Sequence, residues 1–275
     1  MRHTRDDPAP DAAIVTRALT RRYGESVAVD QVDLVVPHGT VFGLLGPNGA
    51  GKTTTIKMLI TLLAPSSGTA TIAGCDIRTE SAQVRQLVGY VPQLVSADRS
   101  LTAEENLLVF ARIYHIPRTE RRARIDAALT SVGLKDAAHR LVRDFSGGMV
   151  RKLEIVQSIL HRPPVLFLDE PTLGLDPAAR RGIWQELHDL ISHGGTTLFI
   201  TTHDMEEADA LCDRVAIMYQ GRVVAEGTPE ELKAKVGPNA SLDDVFISYS
   251  GGVGAAEQGG MRDVARTRRA ARRLG

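Results

Sequence analysis

The chain has 275 residues, 43% apolar and 24% charged, the balance of a protein that folds around a core of its own. Its 33 basic and 33 acidic side chains cancel, so no overall basic field argues for nucleic acid as the main partner. Cys75 and Cys212, the only cysteines, are far apart and in no metal-type spacing, which excludes a disulfide framework and reads as reduced thiols.

In chain order, residues 1–11 are charged and proline-containing with no apolar run, so they read as a disordered N-terminus and not as a secretory signal. Residues 12–19 and 27–36 read as two strands joined by the polar turn Thr20-Arg21-Arg22-Tyr23-Gly24-Glu25. Pro37-His38-Gly39 breaks the chain, and Val41-Phe42-Gly43-Leu44-Leu45 follows as a short buried strand. Next comes Gly46-Pro47-Asn48-Gly49-Ala50-Gly51-Lys52-Thr53, which fits G-x-x-x-x-G-K-[ST] at every fixed position, and then a helix from Thr54 with apolar residues at helical spacing. A strand, a glycine loop and a helix start aim successive backbone N–H groups and the positive helix end at a polyphosphate, from Asn48 through Thr54. Lys52 is expected to reach the β- and γ-phosphates and the Thr53 hydroxyl to ligate Mg²⁺. The chain reads as a nucleotide-binding protein.

The loop helix is expected to end near Leu63, before Ala64-Pro65-Ser66-Ser67-Gly68. Residues 69–73 read as a strand, 80–87 as a short helix and 88–91 as a buried strand leading into Pro92-Gln93. The composition then changes. Thr102-Ala103-Glu104-Glu105 is a capping box before a helix, 121–132 a second helix closed by Gly133, and 135–142 a third short one. A further helix opens at Phe145-Ser146-Gly147-Gly148, so 93–162 reads as an all-helical insertion in a strand-rich core.

Val165-Leu166-Phe167-Leu168 is an uninterrupted apolar strand running into Asp169-Glu170. Two carboxylates at a strand end, beside a phosphate loop from a neighbouring strand, suit one for Mg²⁺ and the other for polarising the attacking water. Ser146, Gly147 and Gly148 at a helix start make a second anion site; taken alone they also fit an ordinary serine N-cap. Residues 177–193 read as a helix, 196–201 as a strand ending at Thr202-His203, and 205–212 as a helix. Residues 214–219 and 222–226 form a hairpin across Gln220-Gly221, Thr228 caps a last core helix, and 241–249 can still pack. Residues 251–260 read as glycine-rich linker and 261–275 as an arginine-rich disordered tail. No apolar run approaches the ~20 residues of a membrane span.

Taken together, GPNGAGKTT, YVPQ, FSGGM, VLFLDEP, GLD and TTH, in that order and spacing over residues 12–236, resemble the ATP-binding subunit of an ABC transporter. The resemblance implies an α/β fold: a P-loop NTPase (RecA-like) core with an antiparallel β subdomain and the all-helical insertion of that family. It implies ATP and Mg²⁺ as ligands and a homodimer whose two subunits close head to tail, each signature segment completing the other's site. A separately encoded integral membrane permease is the implied partner, at the cytoplasmic face of the membrane. By the same likeness Tyr23 stacks on adenine, and Gln93 senses Mg²⁺ and the attacking water and couples to the permease. Glu170 is the general base, Asp169 supports Mg²⁺, Asp176 belongs to the dimer-contact loop and His203 contacts the γ-phosphate. The family's common LSGGQ signature is altered here, with Phe145 for leucine and Met149 for glutamine. Met149-Val150-Arg151-Lys152-Leu153-Glu154 and the closing Ser241-Leu242-Asp243-Asp244-Val245-Phe246-Ile247 are similar to the drug- and polysaccharide-export branch, nearest the daunorubicin-resistance type. Export of drugs or other amphipathic compounds is therefore expected. Polysaccharide or lipid export, import, and a soluble ATPase acting on ribosomes or DNA stand as alternatives.

Overall fold

The structure, a computed structural model, describes residues 12–250. The expectations for 1–11 and for the tail from 251 lie outside them. Four antiparallel strands, β1 (Ala12–Tyr23), β2 (Ser26–Pro37), β4 (Ser67–Ile72) and β5 (Cys75–Asp76), form one sheet in the order β2-β1-β4-β5. The second sheet holds β3 (Val41–Leu45), β6 (Val88–Val91), β7 (Val165–Asp169), β8 (Thr197–Thr202), β9 (Arg214–Tyr219) and β10 (Arg222–Gly227), in the order β10-β9-β3-β8-β7-β6. Within it β6, β7, β8, β3 and β9 run parallel, and only β10 is antiparallel to its neighbour.

Parallel strands covered on both faces read as continuous apolar runs, and alternation divides each strand between two cores. Phe42, Leu44, Phe167, Phe199, Ala216 and Met218 face one core, shared with the antiparallel sheet, with α1 (Lys52–Leu59) and with Val84 of α2 (Ser81–Leu87). Val41, Leu45, Leu166, Leu168, Leu198, Ile200, Val215 and Ile217 face the other. Helices α6 (Pro177–Gly194), α7 (Met205–Leu211), α8 (Pro229–Val236) and α9 (Leu242–Tyr249) cover that second face. The 241–249 segment does pack, through Leu242, Val245 and Phe246.

A third core joins α3 (Ala103–Ile113), α4 (Arg118–Ser131) and α5 (Gly147–Ile159). The capping box at Thr102 forms in full, and Gly133, at φ 68°, ends α4 in a conformation that favours glycine. At the far end of this group the Tyr114 and His161 rings stack 3.6 Å apart, and His161 Nε2 meets the Val88 carbonyl at 3.2 Å, joining it to the parallel sheet.

Three expectations are corrected. The turn between the first two strands is only Gly24-Glu25, because residues 20–23 extend β1: Arg21, Arg22 and Tyr23 pair with Val29, Val27 and Ser26 of β2, and Thr20 with Ser67 of β4. Helix α1 stops at Leu59, not near Leu63, as Thr61 turns to φ 64°. Residues 135–142 are not one helix; 3₁₀ turns at Lys135–Ala137 and Val142–Asp144 flank a bridge from Leu141 to Thr102.

Candidate active site

Because β6, β7, β8 and β3 are neighbours and parallel, the segments that leave them open at one edge of the sheet. Those segments carry Gln93, Asp169-Glu170, His203 and the loop Gly46–Thr53. A cleft of about 330 Å³ opens there, lined by Pro47 to Thr54, Ala28, Gln93 and Glu170. The loop is clamped from outside. Gly221, in the turn of the hairpin, donates to Ala50 O at 3.0 Å, and Asp30 N donates to Gly221 O at 2.8 Å. Gln220 and Gly221 both have positive φ, the type I′ geometry that makes this approach.

Lys52 lies within the loop, donating from Nζ to Gly46 O at 2.7 Å and Pro47 O at 3.1 Å, with Glu170 Oε1 at 3.4 Å. Burial pushes the Lys52 ammonium below its ordinary range, against the raising effect of Glu170. Thr53 donates to Asp169 Oδ1 at 3.1 Å, and Thr201 of β8 donates to the same oxygen at 2.6 Å. Asp169 Oδ2 is buried with no hydrogen-bond partner. Hydroxyl and carboxylate oxygens beside a phosphate-sized cleft are the hard donors that Mg²⁺ takes, usually one or two from protein with phosphate and water completing the shell. Among the described residues no three His, Cys, Asp or Glu side chains are grouped as a metal cage of their own.

Glu170 follows β7 with φ 49°, a left-handed turn held by hydrogen bonds from its N–H to the carbonyl and the hydroxyl of Thr201. That turn swings the carboxylate away from the strand and into the cleft. His203 Nδ1 approaches Glu170 Oε2 to 3.2 Å, an ion-pair distance off the line of a good hydrogen bond. Burial alone would raise the Glu170 pKa, but His203 and Lys52 together outweigh it and hold the carboxyl below its usual range. The contact with Glu170 raises His203 above the ordinary 6.5, against its partial burial. Glu170 is therefore ionised near neutral pH, with Oε2 lacking a full hydrogen bond: the state a proton acceptor needs.

The remaining candidates lie elsewhere. Tyr23 is half exposed at the β1–β2 hairpin, with the Arg21 guanidinium 4.6 Å from its ring centre, and the cleft wall on the antiparallel sheet is Ala28. Ser146 caps α5, accepting from Met149 N at 3.3 Å. A Cβ on Gly148 would come 3.2 Å from the Ala179 side chain, so this helix start abuts the segment after Asp176. Asp176 caps α6, accepting from Ala178 N and Ala179 N at 2.9 Å each. Sequence reasoning missed Ala28, Thr201 and Gly221, which act only through strands distant in the chain. It also missed Arg151 and Glu154, which reach across to the loop after Gln93.

Residues 29–173 match the family model described as ABC transporter. The chain is 44% identical over 246 residues to the daunorubicin resistance ATP-binding protein DrrA3 of Streptomyces coeruleorubidus, covering 90% of this chain and 77% of that protein. It is 46% identical over 230 residues to the daunorubicin/doxorubicin resistance ATP-binding protein DrrA of Streptomyces peucetius, covering 84% and 69%. Among solved structures, CbiO1 from Clostridium perfringens, described as part of the ABC transporter complex CbiONQ, matches with TM-score 0.76 and 30% identity, covering 82% of this chain and 92% of that one. The phosphate loop, the paired strand-end carboxylates and these likenesses agree: the chain belongs to the ABC transporter family, as an ATP-binding, ATP-hydrolysing subunit akin to those of drug exporters.

Proposed function

We propose that this chain hydrolyses ATP to power a membrane exporter of drugs, antibiotics or other amphipathic compounds. The observation that carries the reading is the meeting of Lys52, Thr53, Glu170 and Gln93 around one phosphate-sized cleft, with Asp169 hydrogen-bonded to Thr53. The drug-resistance relatives support the substrate class.

In this reading the loop amides from Asn48 to Thr54 hold the β- and γ-phosphates, and Lys52 exchanges its carbonyl partners for phosphate oxygens. Glu170 takes a proton from the water that attacks the γ-phosphate; the bond to ADP breaks and the phosphate leaves with the water's oxygen. His203 and Gln93 line the γ-phosphate end. A bound Mg²⁺, held by Thr53, Asp169 and Gln93, would neutralise charge on the phosphates. Tyr23 is the adenine platform.

Two copies close head to tail, with Ser146, Gly147, Gly148 and Asp176 of one completing the cleft of the other. The helix-capping bonds of Ser146 and Asp176 keep both segments ordered for that contact. Residues 12–236 form the ATPase domain, with 93–162 as its helical part. No described helix is long and apolar enough to cross a membrane. In this reading a separately encoded permease supplies the span, and this subunit sits on its cytoplasmic face.

Light scattering on Glu170→Gln with and without Mg-ATP tests the reading. An ATP-dependent monomer-to-dimer shift supports it, and a wild-type chain that neither binds nor hydrolyses Mg-ATP overturns it.

A further inference from the structure

Helix α5 begins at Ser146, the second anion site, and buries two opposite charges one turn further on. Arg151 Nη1 and Glu154 Oε2 are 3.1 Å apart, with side chains 7% and 1% exposed. The pair's other hydrogen bonds all end on one loop. Arg151 donates to Pro92 O at 2.8 Å and to Gln93 O at 3.4 Å. Glu154 Oε1 accepts from Ser96 N at 2.5 Å, Ser96 Oγ at 2.9 Å and Ala97 N at 3.3 Å.

The loop is thus pinned at both feet, Pro92-Gln93 by the guanidinium and Ser96-Ala97 by the carboxylate. Between the feet stand Leu94 and Val95, 81% and 59% exposed. This six-residue bridge, Pro92 to Ala97, buries only Ala97 in a core, and its two exposed apolar residues at the tip have no packing of their own. Its geometry is set by the buried pair. Desolvating two charges is costly, and such a pair persists where its hydrogen bonds are well satisfied, as they are here.

We propose that Arg151 and Glu154 are positioning residues that make the start of α5 and the Gln93 loop one rigid lever. Resting on the functional reading above, the lever links the phosphate cleft of one copy, through Gln93, to the signature segment that meets the other copy's nucleotide. It also presents Leu94-Val95 as a fixed apolar tip. Neither residue touches nucleotide; both act through Gln93.

The test uses the full chain with a nitroxide on Leu94→Cys in a Cys75→Ser background, since Cys212 is buried. Spin-label mobility is read alongside Mg-ATP turnover in the Arg151→Met/Glu154→Gln double variant. An uncharged pair of similar volume keeps the fold while removing the donor to Pro92 and Gln93. We expect a mobile label and a kcat lower by about ten- to a hundredfold, the cost of a misplaced group, with KM for Mg-ATP within about twofold. If the double variant does not fold, Arg151→Lys, which keeps the charge and loses the two-pronged reach, is read in the same way. A label as ordered as in the parent, or an unchanged kcat, overturns the proposal. A parent chain with no turnover at all defeats the ATPase reading instead, and the label then judges the clamp alone.

Discussion

Lys52 Nζ and Glu170 Oε1 lie 3.4 Å apart in a site that leaves their side chains 5% and 7% exposed. In the proposed reading, the group that holds phosphate and the group that takes the proton neutralise each other before ATP arrives. Replacing Glu170 by glutamine frees the lysine from its countercharge while removing the proton acceptor. We therefore expect Glu170→Gln to bind Mg-ATP at least as tightly as wild type, with kcat lower by about 10²–10⁴. Equilibrium binding and single-turnover hydrolysis check the two halves separately; a near-wild-type rate would remove Glu170 from the role of general base.

The phosphate loop also makes a graded prediction about two of its glycines. A Cβ on Gly51 would sit 2.4 Å from Ala28 O and 2.8 Å from the Met218 methyl, at φ 109°. Gly49 has φ 80° but open space around its Cβ position. Gly51→Ala thus combines backbone strain with a clash against backbone and should cost roughly 2–4 kcal/mol. Gly49→Ala carries strain alone, about 1 kcal/mol. Urea unfolding of the two variants reads the order, and equal losses would contradict the packing of the loop against β2.

Two histidines push the pH dependence of stability in opposite directions. His161 Nε2 faces a carbonyl and must donate, leaving Nδ1 buried and bare, and burial lowers its pKa to about 4. Its contribution is present above the ordinary 6.5 and is lost as the pH falls toward 4. His203, raised by Glu170, contributes below 6.5 and loses that contribution as the pH rises through its higher folded value. Melting curves across this range should show His161→Phe reducing the acid sensitivity. In His203→Gln the deficit relative to wild type should shrink as the pH rises.

What could be read in the sequence is what contiguous residues decide. The phosphate loop, the capping boxes at Thr102 and Thr228 and the Gln220-Gly221 turn each carry their chemistry within a few positions, and each forms. The end of β1 could not be read that way: Thr20-Arg21-Arg22 is polar, and only partners in β2 and β4 make it strand. Arg151 and Glu154 stand in a run that resembles the export branch, but nothing in it gives them a role at the site: their partners lie 57 to 59 positions away, and no local pattern names them. At the site, residue types and spacing named Asp169 and Glu170. The left-handed turn that aims Glu170 belongs to its bonds with Thr201, which is a property of the assembled sheet.

The last prediction concerns Glu207, buried on the helix that follows His203. Its Oε1 accepts from Thr172 at 2.6 Å and from the indole of Trp184 at 3.1 Å. Thr172 comes two residues after Glu170, so this carboxylate ties the Glu170 turn, α6 and the His203 segment together. Glu207→Leu would fill the space but strand two donors, one fully buried and one partly so, at about 1–3 kcal/mol each. Glu207→Gln keeps an acceptor oxygen and should lose much less. Trp184 is the chain's single tryptophan, so its emission reports the bond directly. We expect a changed emission maximum and a lowered unfolding midpoint in Glu207→Leu, with both largely restored in Glu207→Gln. An unchanged spectrum in Glu207→Leu would mean that the indole is held by something other than this carboxylate.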